Sequence, residues 1–138
     1  MTDGERGVVV ITGASRGIGA AAAILAAHAG FDVVVNYRQD KVGAGNVVER
    51  IEAAGGRAMA VQADTGQDAD IVRMFEVAAA FGPLTGLVNN AGMTGRRCLI
   101  EEVDAATLEH VFRVNISGYF LCAREAVKYM STKHGCRG

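Results

Sequence analysis

No stretch of this chain reaches the roughly 18 consecutive apolar residues that a membrane-spanning helix requires. The opening Met1-Thr2-Asp3-Gly4-Glu5-Arg6 also lacks the apolar core of a secretory leader, which makes the cytoplasm the expected compartment. Charge of one sign is missing too. A net charge of −1, with Lys and Arg scattered, provides no surface for nucleic acid or an anionic membrane. Cysteine is scarce: Cys98, Cys122 and Cys136 lie far apart and form no C-x-x-C pair, so reduced thiols are expected. His28, His110 and His134 stand equally apart, and no metal site is expected. Repeats, low-complexity tracts and linkers are absent, so 138 residues form at most one domain. The composition, 50% hydrophobic and 21% charged, suits a globular α/β domain with a real core.

The most informative stretch runs from Gly7 to Gly19. Val8-Val9-Val10-Ile11 has no polar alternation, as in a strand covered on both faces of a parallel sheet. Thr12-Gly13-Ala14-Ser15-Arg16-Gly17-Ile18-Gly19 then breaks into a turn and opens a helix. Ile18, Ala22, Leu25, Ala26 and Ala29 recur at helical spacing and predict the face that packs back on the strand. A Cβ at the glycines would obstruct the turn and hold a pyrophosphate away from the N–H groups at the helix start. The loop therefore suits a dinucleotide. The plainer reading is a glycine turn chosen for close strand-helix packing, because the spacing is not the general G-x-G-x-x-G.

Strand and helix then alternate. Val33-Val34-Val35 reads as a second buried strand ending at Asn36-Tyr37-Arg38. An acidic residue just beyond this strand would bind the 2′-hydroxyl of NAD and repel a 2′-phosphate. Tyr37 and Arg38 stand there instead, and Arg38 with Arg16 favours NADP over NAD, unless either arginine is only a solvated charge. Asp40 is the expected cap of a helix with Ala44, Val47, Val48, Ile51 and Ala54 on one face. A third strand is expected over residues 57–62. Asp64 at its end offers an acceptor for an adenine amine, while Thr65-Gly66-Gln67-Asp68 has the form of a capping box; both roles are compatible. The helix that follows carries Ile71, Met74, Phe75, Ala78 and Ala79 inward and closes at Phe81-Gly82-Pro83.

A fourth strand over residues 85–88 leads to Asn89-Asn90-Ala91-Gly92, where small residues leave room for a ligand against the backbone. A long helix is expected over residues 105–129, capped by Asp104, with Leu108, Val111, Phe112, Asn115, Tyr119, Cys122 and Ala126 along one face. Asn115 is the odd member. An unbonded amide in an apolar stripe costs about 1–3 kcal/mol, so it needs a structural or catalytic partner. Four alternations of strand and helix predict a Rossmann-like, doubly wound α/β fold of three layers with strand order 3-2-1-4. Ligand would lie beyond the carboxyl ends, near Gly13, Asn36, Asp64 and Asn90.

Together Thr12–Gly19, Asp64, Asn89-Asn90-Ala91-Gly92 and Asn115 in Val114-Asn115-Ile116-Ser117-Gly118 resemble the short-chain dehydrogenase/reductase family. The pairing of Arg16 with Arg38 is similar to its NADP-preferring members. The resemblance implies cofactor contacts from Gly13, Ser15, Arg16, Gly17, Ile18, Gly19, Arg38, Asp64, Asn90, Ala91 and Gly92. It also implies a place for Asn115 in a catalytic tetrad. The family's serine and Tyr-x-x-x-Lys would follow a fifth strand, and the chain stops before it. Tyr129 and Lys133 have that spacing but sit too soon after Asn115, and are read as a surface tyrosine and a lysine favoured by the helix dipole.

The expectation is a single NAD(P)-binding domain over residues 1–138, the cofactor-binding half of an NADP-dependent oxidoreductase, inactive by itself. Its substrate would be a small carbonyl or alcohol. For a full-length protein the resemblance also implies a homo-oligomer, a dimer or tetramer, with the helix over residues 105–129 as the candidate subunit contact. A truncated, non-catalytic dinucleotide-binding module is the alternative.

Overall fold

The computed structural model describes residues 7–136. The leader reading at Met1 to Arg6, and the ending at Arg137 and Gly138, lie outside the described residues. The elements alternate as expected: β1 (Val8–Ile11), α1 (Gly17–His28), β2 (Asp32–Tyr37), α2 (Lys41–Ala53), β3 (Ala58–Gln62), α3 (Asp68–Phe81) and β4 (Leu84–Val88). Then come α4 (Ala105–Phe112) and α5 (Gly118–Met130), joined by a π-helical turn over Arg113–Ser117. The four strands form one parallel sheet in the order β3-β2-β1-β4, with Val10 opposite both Val34 and Leu87.

The sheet's two faces make two cores. Val8 and Val10 of β1 point to one side, where Val34, Ile71, Met74, Phe75, Cys122 and Ala126 meet under α3 and α5. Val9 and Ile11 point to the other, against Ala23, Val33, Val35, Val47 and Ile51 under α1 and α2. That is why β1 carries no polar alternation: all four of its residues are buried. Burying a side chain such as Phe75 contributes about 1.5–3 kcal/mol. At the other end of the sheet Arg57 pairs with Asp32, donates to the Phe81 carbonyl at 3.0 Å and stacks over the Phe81 ring.

Four expectations need correction. The α1 face holds only in part: Ala22 and Ala26 pack against the core beside the fully buried Gly19 and Ala23, whereas Ile18 is 82% and Leu25 67% exposed. Small residues let this helix lie close to the sheet, and its alanine-rich sequence supplies no steep apolar gradient from which to read the face. α3 does not start at a Thr65 capping box. It starts at Asp68 after an uncapped Gln67, and the Asp64 carboxylate instead accepts the Gly66 N–H at 2.8 Å in a local turn. The long helix is not continuous: the π-turn shifts the phase, so Leu108 and Phe112 of α4 are exposed while Cys122 and Ala126 of α5 are buried. Tyr129 is half-buried against the core, not a surface residue, and Lys133 falls on a separate turn beyond the end of α5.

One buried charge escaped the sequence reading. Glu125 is 2% exposed; it accepts from Lys128 Nζ at 2.8 and 3.0 Å and from Arg124 Nε at 2.7 Å. Arg124 also pairs with Asp68, tying α5 to the first turn of α3. Asp68 and then Glu125 raise the Arg124 pKa. Among the described residues no helix is long and apolar enough to cross a membrane.

Candidate functional site

The carboxyl ends of the strands open into a cleft of about 780 Å³. Gly13, Ser15, Arg16, Gly17, Ile18, Arg38, Asp64, Asn90, Ala91 and Gly92 all line it, as do Tyr37, Gln39, Asp40, Met93 and Val114. Gly19 and Asn115 stand behind this wall. The sequence signals that pointed to a ligand therefore converge on one place.

The start of α1 gives the cleft its chemistry. A helix leaves its first N–H groups without internal acceptors, and side chains commonly supply the acceptor. The Asp40 carboxylate does so for α2, accepting the Gly43 N–H at 2.9 Å, and Asp104 does so for α4 at Thr107. At α1 the N-cap is Arg16, whose side chain makes no cap bond, and the first turn has no acidic residue. The positive end of the helix thus faces the cleft without a protein anion. Gly17 adopts φ +59°, and a Cβ there would project into open space beside the loop. Gly19 has the opposite situation. A Cβ on it would lie 2.4 Å from the Gly13 carbonyl oxygen and 2.6 Å from Asn90 Nδ2, so its absence keeps the loop seated on the helix.

Two buried side chains that were not counted among the site residues hold the rim in shape. Asn36 Oδ1 accepts the Gly13 N–H at 3.1 Å, while its Nδ2 donates to the Val61 and Ala63 carbonyls at 3.2 and 3.1 Å. One amide thereby joins the ends of β1, β2 and β3. Thr12 performs the corresponding task toward β4. Its hydroxyl oxygen accepts the N–H groups of Asn90 and Ala91, and Asn90 Nδ2 returns bonds to the Thr12 and Gly13 carbonyls at 3.0 and 3.1 Å. A polar residue directly after a run of buried apolar residues was the available signal for both.

Along the β2 and β3 edge stand Arg16, Arg38 and Asp64. Among the described residues neither arginine pairs with a carboxylate, although both line the cleft. Asp64 is fixed twice: Asp70 accepts its N–H at 2.8 Å, and one of its own oxygens is occupied by Gly66. At the other end, Asn115 closes a two-way bond with Met93. Its Oδ1 accepts the Met93 N–H at 2.9 Å, and its Nδ2 donates to the Met93 carbonyl at 2.7 Å. This supplies the partner that the lone amide required.

The residues present suit a dinucleotide. An uncapped helix start could receive a diphosphate, the Arg16 and Arg38 guanidiniums could receive a further phosphate, and the small Ala91-Gly92 pair leaves room at the far end.

A family model described as short chain dehydrogenase matches residues 7–137. The chain is 43% identical over 132 residues to the uncharacterized oxidoreductase YgfF of Escherichia coli, covering 95% of this chain and 53% of that protein. It is 42% identical over 134 residues to versicolorin reductase 1 of Aspergillus parasiticus, covering 94% and 51%. The structure of a short chain dehydrogenase from Burkholderia cenocepacia in complex with NADP superposes with a TM-score of 0.84 at 36% identity, over 88% of this chain and 50% of that one. The chain thus spans about half the length of the curated relatives it matches. Fold, motifs and relatives agree, and the chain belongs to the short-chain dehydrogenase family.

Proposed function

We propose that this chain is the cofactor-binding half of an NADP-dependent oxidoreductase acting on a small carbonyl or alcohol. The observation that carries the reading is the start of α1, uncapped and free of acidic residues, opening on a cleft that also holds two unpaired arginines. Ser15, Arg16, Gly17 and Ile18 would hold the diphosphate, with Gly13 and Gly19 shaping the loop beneath it. Arg16 and Arg38 would take the 2′-phosphate, and Asp64 the adenine. Asn90, Ala91 and Gly92 would border the nicotinamide ribose, and Asn115, anchored to Met93, would serve the catalytic end. A nicotinamide bound there supplies or accepts hydride at its C4. The NADP in the Burkholderia structure supports this choice of coenzyme.

The cytoplasm is the proposed compartment. A homo-oligomer is proposed as well, built on the exposed stripe of Leu108, Phe112, Ile116, Phe120 and Val127 along α4 and α5. Titration calorimetry with NADPH and NADH tests the cofactor reading. NADPH is expected to bind at least about tenfold more tightly, the worth of one charged hydrogen bond, and absence of heat with either coenzyme would overturn it. Intact mass of the purified protein, together with NADPH oxidation against a panel of carbonyls, separates the enzyme from a non-catalytic binding module: a mass at 138 residues with binding and no turnover supports the module, and a longer protein that turns over supports the enzyme.

A further inference from the structure

The cleft has two ends borne on different loops: Asp64 on the β3–α3 loop, and Gly92 and Met93 on the loop after β4. We propose that Gly118 is a positioning residue that sets the spacing between these two ends without touching a ligand. The inference rests on the cofactor reading of the cleft. Gly118 is buried where α5 begins, and a Cβ on it would lie 2.3 Å from the Thr65 carbonyl oxygen and 3.2 Å from the Thr65 carbonyl carbon. These are backbone atoms in a buried residue, so they cannot swing aside as the tip of a side chain would.

The contact extends along the π-turn. A Cβ on Gly66 would meet Val114 Cγ2 at 3.3 Å and Arg113 Cγ at 3.5 Å, so the turn lies flat against the β3–α3 loop. Val114 itself lines the cleft. The next residue, Asn115, grips Met93 of the other loop through both of its amide atoms. The extra residue of the π-turn thus lets positions 114 and 118 rest on one loop while 115 holds the other. The short segment from 113 to 118 is a strut, and Gly118 is the point where it bears on the backbone. A side chain at 118 lifts the strut from Thr65 and changes the distance between the two ends of the cleft.

Amide hydrogen exchange on the full chain reads this without any ligand, because the Gly66 N–H is held by Asp64 and the Met93 N–H by Asn115. In Gly118→Ala both amides are expected to exchange at least about tenfold faster while Val10 keeps its protection. A Met93 rate equal to wild type overturns the proposal. Should Val10 lose protection as well, Gly66→Ala loads the same joint from the opposite side, through Val114 Cγ2 at 3.3 Å and Arg113 Cγ at 3.5 Å. Acceleration at Met93 is again expected, and no change there overturns the strut. In parallel, NADPH affinity should fall in Gly118→Ala by the fraction of molecules in which the cleft keeps its spacing. A wild-type chain that shows linked exchange but binds no NADPH overturns the cofactor reading and leaves the strut standing.

Discussion

The hydroxyl oxygen of Thr12, at the end of the central strand, accepts the N–H of Asn90 at 2.9 Å, and that of Ala91 at 3.0 Å. It also donates to the Val88 carbonyl, so all its bonding capacity goes to fixing the loop that follows β4. Thr12→Val keeps the shape and leaves two N–H groups without an acceptor. The expected loss is about 2 kcal/mol of stability in urea denaturation, together with weaker NADPH binding. Thr12→Ser should retain most of both.

Arg38→Ala is expected to reduce NADPH affinity about tenfold, the loss of one charge-assisted hydrogen bond. Arg16→Ala should do the same, and NADH affinity should be unchanged in both variants. Calorimetric titration of each with the two coenzymes measures the ratio. Equal losses for NADH and NADPH would show that the arginines do not read the 2′-phosphate.

Acid should release the cap of α4 before the sheet unfolds. The Thr107 N–H, and then the Thr107 hydroxyl, hold the Asp104 carboxyl below its ordinary value of 3.8. Because the native value is depressed, the cap contributes fully above the unfolded value and is lost as pH falls below 3.8 through the native one. The Thr107 amide resonance should titrate with a midpoint below 3.8. Asp104→Asn should cap the helix without that titration.

Thiol labelling should divide the cysteines. Burial under α5, and then the neighbouring Glu125 carboxylate, push the Cys122 thiol up to about 12. The thiolate is the reactive form, so Cys122 should resist a disulfide reagent at pH 8 until the chain unfolds. Cys98 and Cys136, both partly exposed, should react in the native state.

The sheet order and the place of the cleft were legible because they follow from strongly patterned segments. Val8 to Ile11 and Val33 to Val35 have no polar face to offer water, and right-handed crossovers then leave few arrangements. Asp40 and Asp104 were legible as caps because a carboxylate directly before a helix has one obvious task. The inward face of α1 was legible only in part, at Ala22 and Ala26. With alanine at most positions, Ile18 and Leu25 mark the periphery, and closeness to the sheet is set by Gly19 and Ala23. The π-turn was hidden because a single added residue leaves no trace in a 3.6-residue period, only a change of phase between Phe112 and Cys122. Thr65 could not announce that α3 would start later, after an uncapped Gln67, and that the local turn would be closed by Asp64, since both residue types favour such turns. Glu125 had one clue, the flanking Arg124 and Lys128, inside an otherwise apolar stretch.

Asn36 and Arg38 are two residues apart at the end of β2, yet the amide of one is sealed inside the rim and the guanidinium of the other projects into solvent. On the proposed reading of Arg38, architecture and coenzyme preference are therefore written on separate side chains. Evolution, or an engineer, can rewrite the second while the first keeps the scaffold unchanged, so descendants of this domain are free to trade one redox currency for another.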